Sequence, residues 1–327
     1  VGVSKLVREA TENDPLKSVH TEFVSCNLTF GLPQQTKKDK RAQNNANQDN
    51  SAHGAYDVRR HLYAAHTLAP FKSTEAAARS FLRGRCTQVG QELWLNKHLA
   101  LDTVQIIENE YFVERSQLKV KFAQDYVKVL RDAEQMQGRG FDATIYPDVS
   151  AVMSQFTQSF DMYPVGHTTA SIFDDLAADN ADDLAKRIRD TTMRDMASAV
   201  EDPLARLIRA VMNMHNKISR DGSRIYDSLL GELEEVTAFM PALNVGNVGY
   251  LNDMAEKCRE QLTVASSEEL RNKDSGGRQK VRDNAAGLLT AFGIDPDENT
   301  KITESGERKE TAKEKAAEIL SQMRGVF

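Results

Sequence analysis

Residues Leu101 to Gln137 read LDTVQIIENEYFVERSQLKVKFAQDYVKVLRDAEQMQ, and this stretch decides how the rest of the chain is read. It contains neither Pro nor Gly. Val104, Ile107, Tyr111, Leu118, Phe122, Val129, Ala133 and Met136 recur at spacings of three and four or their multiples, with acids and bases between them. That periodicity predicts one long amphipathic helix with a dry stripe on one side. Asp102 is expected to cap its first turn, and Gly138 and Gly140 to end it.

Upstream, His20 to Phe30 alternates with period two, as a half-buried strand does. Gly31 and Pro33 end it. Residues Gln34 to His53 are rich in Asn, Gln, Lys and Asp, a composition that predicts a polar loop without its own order. Tyr56 to Leu68 bridges to Pro70. Ser73 then caps a helix to about Gln88 with Ala76, Ala77, Phe81 and Leu82 inside, and Trp94 falls in the connection to the long helix.

Downstream, Pro147 suits the first turn of a helix whose dry face is Val149, Val152, Met153 and Phe156. Phe160 to Val165 alternates again and predicts a second strand beside the first. The remainder is helical. Helices are expected from Asp179 to Ala199, from an Asp202-Pro203 restart to Ile218, and from Ser223 to a stop at Pro241. Two more follow over Val248–Leu262 and Arg278–Phe292, with Ser266 and Glu269 at capping-box spacing between them. A linker over Asp295–Gly306 precedes a charged helix, Glu307–Met323. The predicted fold is therefore mainly α (α+β): a small antiparallel sheet with a long central helix, followed by a helical bundle. The expected division is an α+β domain over 1–166, a helical domain over 167–293, and a linker with a terminal helix over 294–327.

The chain has 327 residues, enough for one large domain or two modest ones. No apolar run approaches the roughly 18 residues needed to span a bilayer, and no basic-then-apolar leader argues for secretion. Cys26, Cys86 and Cys258 are odd in number and far apart, which fits buried thiols in a reduced compartment.

Charge is unevenly placed. Between Gln35 and Ala100 stand eleven bases against five acids, a local +6, which leaves −12 for the rest of a chain whose net charge is −6. Lys37, Lys38, Lys40 and Arg41 lie in the polar segment, Arg59 and Arg60 follow, and Arg79, Arg83 and Arg85 sit on or just past the next helix. Tyr56, His61, Tyr63, His66 and Phe71 interleave with them. Cations on a track with flat rings between them suit phosphates and unpaired bases. The plain alternative is a charged surface over aromatic core residues, or a basic segment that docks on the acidic remainder of a second copy.

Other chemistry finds less support. His61 and His66 are five apart, not the four that shares a helix face, and no Cys pair accompanies them. Asp295, Asp297 and Asn299 open like a calcium loop, but Thr300 and Gly306 stand where Gly and Glu are needed. Asp174, Asp175, Asp179, Asp182 and Asp183 cluster before a helix; carboxylates there favour the helix dipole, and a metal-dependent nuclease is the minor alternative. No phosphate-binding Gly-rich loop or nucleophile elbow is present.

The strand with its basic polar segment, the long helix, Tyr146-Pro147, Tyr163-Pro164-Val165 and Leu243-Asn244-Val245 occur together in a way that resembles a family of uncharacterised tailed-phage proteins. The resemblance covers roughly Glu22 to Gly293. It implies a phage-encoded protein in the cytoplasm of an infected bacterium, linked to replication or recombination genes, and carries no catalytic residue across. The expectation is thus a non-enzymatic accessory protein that self-associates and binds nucleic acid, single-stranded by preference. The binding residues are Lys37, Lys38, Lys40, Arg41, Arg59, Arg60, Arg79, Arg83, Arg85, Tyr56 and Tyr63, and no cofactor, metal or membrane is involved. The rival is a structural or interaction protein, a filament or scaffold subunit or a binder of a host protein.

Overall fold

The computed structural model describes residues 22–49, 56–165, 181–220, 227–245, 248–272, 275–298 and 308–322. In chain order the elements are β1 (Phe23–Phe30), β2 (Thr36–Lys38), α1 (Lys40–Asp49), β3 (Arg59–His61), α2 (Ala65–Arg85), β4 (Cys86–Val89), β5 (Glu92–Asn96) and α3 (Lys97–Ile106). A π-helical turn, Ile107–Phe112, joins α3 to α4 (Val113–Gln124), and α5 (Tyr126–Gln137) follows. Then come α6 (Val149–Ser154), β6 (Gln158–Pro164), α7 (Ala181–Ser219), α8 (Asp227–Leu243), α9 (Gly249–Leu262), α10 (Ser267–Arg271), α11 (Gly276–Ala291) and α12 (Arg308–Gln322). The fold is mainly α, with a small antiparallel sheet in the order β4-β5-β1-β6 and a separate β2-β3 hairpin.

The chain forms two compact units, and neither follows chain order. One, the bundle unit, gathers Val1–Cys26, Arg83–Ala100 and Tyr163–Phe327; the other, the hairpin unit, gathers Asn27–Leu82 and Leu101–Met162. The chain crosses between them inside β1 itself.

In the bundle unit, α7 packs against α8, α11 and α12. Its Leu204, Leu207, Ile208, Val211 and Met212 are fully buried with Leu251, Cys258 and Leu262 of α9 and Val281 and Leu289 of α11. The expected break at Pro203 does not occur, because α7 runs through it. Proline there forfeits the bond to the Ala199 carbonyl, a cost of about 3 kcal/mol. Val200, Leu204 and Leu207 are buried around it, and three such side chains return roughly 1.5–3 kcal/mol each. Asp202, expected as a cap, instead pairs with Arg206 at 2.7 Å. The Ser266–Glu269 capping box forms as read.

The hairpin unit holds the long helix. The dry stripe is real at Ile107, Phe122, Val129 and Ala133, but Met136 is exposed and Arg115 is buried among the apolar side chains. Helix α3 begins at Lys97, so Asp102 lies inside it and cannot cap it; Asn96 Oδ1 accepts from the His98 amide at 3.0 Å instead. The π-turn inserts one residue and shifts the phase of the stripe. Gly138, at φ +53°, ends α5 in a conformation that side chains rarely adopt.

Helix α2 starts at Ala65, not Ser73, and passes through Pro70 because Leu68 and Phe71 are buried on either side. Its covered face is Phe71, Thr74, Ala78 and Leu82, while Ala76 and Ala77 are exposed. Trp94 lies within strand β5 and not in a connection. Pro147 precedes α6, whose N-cap is Asp148, and Val149 is exposed. Strand β6 stands beside β1, as expected.

Candidate nucleic-acid interface

The segment expected to lack order forms a hairpin and a helix. Strands β2 and β3 pair antiparallel with Thr36 opposite His61, Lys37 opposite Arg60 and Lys38 opposite Arg59. Asp39 then turns the chain into α1: its Oδ1 accepts from the Ala42 amide at 3.0 Å and its amide donates to the Val58 carbonyl at 2.9 Å. Polar composition was a poor guide here because the order comes from backbone pairing and a cap, not from a buried apolar face. Residues 50–53 lie outside the described ones.

The hairpin is tied to the rest of its unit at its base. Leu62 and Tyr63 are buried. The Leu62 carbonyl accepts from the Tyr146 hydroxyl at 2.6 Å, and the His61 carbonyl accepts from Gln137 Nε2 at 2.8 Å. Arg60 donates to Asp39 Oδ2 from Nη2 at 2.6 Å and Nε at 3.1 Å, and from Nη1 to the Gly140 carbonyl. That last bond brings Arg139, exposed between two glycines, beside the hairpin. The Gly138-Arg139-Gly140 pattern reads only as a helix end in the sequence; its nearness to Arg60 is a tertiary fact.

Lys37, Lys38, Lys40, Arg41 and Arg59 are exposed. Asp57 is shared, 3.1 Å from Arg59 and 3.4 Å from Lys38. Lys40 and Arg41 open α1 with no acidic side chain against them among the described residues. The field leaves a mark on three carboxylates. Asp57 is held below its usual range by the Arg59 hydrogen bond first and by Lys38 next. Asp39 is lowered by the Ala42 amide and then by Arg60. Asp142 is lowered mainly by Thr144, with Arg60 and Lys37 adding to it.

Not every expected residue joins this surface. Tyr63 is 6 % exposed and packs edge-on to Phe122 and Tyr146, so it belongs to the core and cannot stack on a base. Burial pushes its hydroxyl pKa up. Tyr56 is 41 % exposed and stays available at the end of the strand β3 approach. Phe71 is buried with Phe122 and Phe156. Arg79 is spent internally: it donates to Glu75 at 3.0 and 3.1 Å and to the Leu28 carbonyl at 3.1 Å, and lies over the Phe30 ring. Arg83 and Arg85 belong to the bundle unit, where Arg85 lies over the Phe239 ring at 5.3 Å.

His66 of α2 pairs with Asp132 of α5 at 3.2 Å, while His61 stands in β3. Among the described residues no three metal-ligating side chains cluster. The acids Asp174, Asp175 and Asp179 lie outside the described residues, as do the side chains of Asp182 and Asp183. The same holds for Asn299, Thr300 and Gly306; Asp295 Oδ1 accepts from the Asp297 amide at 2.9 Å, a local turn. Among the described residues no helix is long and apolar enough to cross a membrane.

Comparison with protein-family models, with characterised proteins and with solved structures finds no match to this chain.

Proposed function

We propose that the chain is a non-enzymatic, self-associating protein that binds nucleic acid, single-stranded by preference, through the β2-β3 hairpin and the start of α1. The observation that carries this reading is the register. Lys37 stands opposite Arg60 and Lys38 opposite Arg59. Like charges directly across an antiparallel pair destabilise it. Asp39 and Asp57 offset part of that cost, and a polyanion laid along the hairpin offsets the rest. Tyr56 and the half-buried Phe141 provide ring surface close by. The resemblance to tailed-phage proteins supplies the setting, the cytoplasm of an infected bacterium.

The rival, a structural or interaction protein with no nucleic-acid role, is favoured by one observation: Val113, Val120 and Val127 are exposed along the long helix. Those valines serve a protein contact under either reading. The two part over whether the hairpin cations meet nucleic acid. Fluorescence anisotropy with labelled single-stranded and duplex oligonucleotides, repeated across a salt series, decides it. Saturable single-strand binding that weakens with salt supports the proposal; absence of binding at low salt leaves the rival.

A further inference from the structure

The outward face of α4 and α5 carries a pattern that the hairpin does not explain. Val113, Val120 and Val127 recur every seven residues and are 46, 56 and 64 % exposed. Gln117 and Gln124 fall between them, also exposed. Arg115, Phe122 and Val129, which point into the core, lie on the opposite side of the same helix. The hydrogen-bond ladder continues across Asp125, from the Asp125 amide to Lys121 and from the Val129 amide to Asp125, both at 2.9 Å. Asp125 itself, at φ −87° and ψ 6°, departs from helical backbone, and Val113 to Val127 span about 21 Å at 1.5 Å per residue. A groove of about 720 Å³ runs beside it, lined by Phe112, Val113, Gln117, Val120, Gln124 and Gln158.

A seven-residue repeat of β-branched side chains with amides between them is the pattern of a helix that receives another helix. The charges choose which one. Glu108, Glu110 and Glu114 are exposed towards the start of this face, and Lys121, Lys128 and Arg131 towards its end. Glu114 stands in the first turn of α4 and Lys121 in its last, where the helix dipole also favours them.

We propose that this face is where two copies of the chain meet, antiparallel, about a two-fold axis at Val120. The valines are their own complement under that reversal: Val120 meets Val120 of the second copy and Val113 meets Val127, while Gln117 falls opposite Ala123 and Gln124 opposite Ser116. Glu114 falls beside Lys128 in both halves. Lys121 approaches its own counterpart, with Asp125 one turn along on each copy. A parallel pairing would instead set Glu114 against Glu114 and Lys128 against Lys128, and like charges so placed select against it. The proposal deepens the self-association in the preceding reading and does not depend on nucleic acid.

The full chain tests it by light scattering on a sizing column, without nucleic acid. Wild type is expected at twice the chain mass. Val120→Glu, at an exposed position, is expected to weaken dimerisation by about tenfold or more, with unchanged far-ultraviolet circular dichroism. Glu114→Lys and Lys128→Glu are each expected to weaken it, and the two together to restore it. Under mild oxidation Val120→Cys is expected to cross-link to itself. Val113→Cys should not cross-link alone but should do so when mixed with Val127→Cys. A monomeric wild type overturns both this surface and self-association. A dimer indifferent to Val120→Glu overturns the surface and leaves self-association standing. A Val113→Cys homodimer cross-link, or a charge exchange that fails to restore the dimer, overturns the antiparallel arrangement.

Discussion

Arg60 and Asp39 are joined twice through one oxygen, Oδ2, at 2.6 and 3.1 Å, while the other oxygen of Asp39 caps α1 at the Ala42 amide. One carboxylate thus holds strand β3 against the first turn of the basic helix. It also neutralises the cation opposite Lys37.

Asp39→Ala is expected to loosen α1. Loss of a cap costs about 0.5–2 kcal/mol, and loss of the Arg60 contact adds to it. Hydrogen exchange at the Gln43 to Ala46 amides should accelerate several-fold, with the amides of the bundle unit unchanged. Equal protection in the variant would show that the cap contributes nothing. Because the Asp39 pKa is depressed in the fold, its stabilising effect is complete above the ordinary value of about 3.9 and is lost as pH falls through the lower, folded value. Asp39→Asn should therefore flatten the acid end of the exchange profile.

Arg115 is buried to 2 % exposure amid Phe30, Phe71 and Phe156. It donates to the Thr157 carbonyl at 2.9 Å and to the Gly31 carbonyl. Desolvation lowers its pKa, and the nearby Glu75 opposes that. Arg115→Met keeps the bulk but leaves the Gly31 carbonyl without this donor, at roughly 1–3 kcal/mol, while the Thr157 carbonyl keeps the Gly31 amide at 2.8 Å. Urea unfolding should show a loss of about 1–3 kcal/mol. No loss would mean that water replaces the guanidinium.

Gly31 has no room for a side chain. A Cβ there would press on Thr157 Oγ1 and sit 2.9 Å from the Gln155 carbonyl oxygen. Gly31→Ala is expected to cost about 1–3 kcal/mol by overpacking, read in the same urea titration. A neutral substitution would show that the Gln155–Thr157 turn yields freely.

His215 in α7 is nearly buried, with its ring near the Ser219 hydroxyl at 3.4 Å. Desolvation, and then Arg282, hold its pKa below the ordinary 6.5. The unfolded chain therefore takes up a proton at this residue before the folded one does. Its contribution to stability is fully present above pH 6.5 and is lost as pH falls below that value, levelling off under the folded pKa. Thermal unfolding between pH 7.5 and 5 should show this decline, and His215→Gln should reduce its slope. An unchanged slope would place the proton uptake elsewhere.

Much of the fold was legible in the sequence, for reasons that differ by element. The long helix, β1, β6 and the bundle helices announce themselves by period, because burial on one face imposes it. Strands β4 and β5 were missed, although Val89-Gly90-Gln91-Glu92 between Thr87 and Trp94 is a two-residue hairpin turn, with Gly90 at φ +58°. Proline misled three times, at Pro70, Pro203 and Pro241, where the helix runs on and buried neighbours outweigh a lost hydrogen bond; α8 passes Pro241 and ends only at Leu243, with Met240 and Leu243 buried. Of the site, the cation run was plain, but its pairing was not. Cross-strand register is a tertiary property, so nothing in the chain order sets Lys37 opposite Arg60, draws the Gly140 carbonyl to Arg60, marks Tyr63 as buried or gives Arg79 to Glu75 and the Leu28 carbonyl.

The central claim rests on Lys37, Lys38, Lys40 and Arg41 meeting phosphates. The measurement that tests it most directly is single-strand affinity against salt for wild type and for the fourfold Ala variant. With these four and Arg59 in contact, the slope of log K on log salt should be about −3.5, at roughly −0.7 per phosphate on a single strand. The variant should keep its fold, lose most of its affinity and fall to a slope near −0.7. Equal slopes and equal affinities in the two proteins would contradict the account.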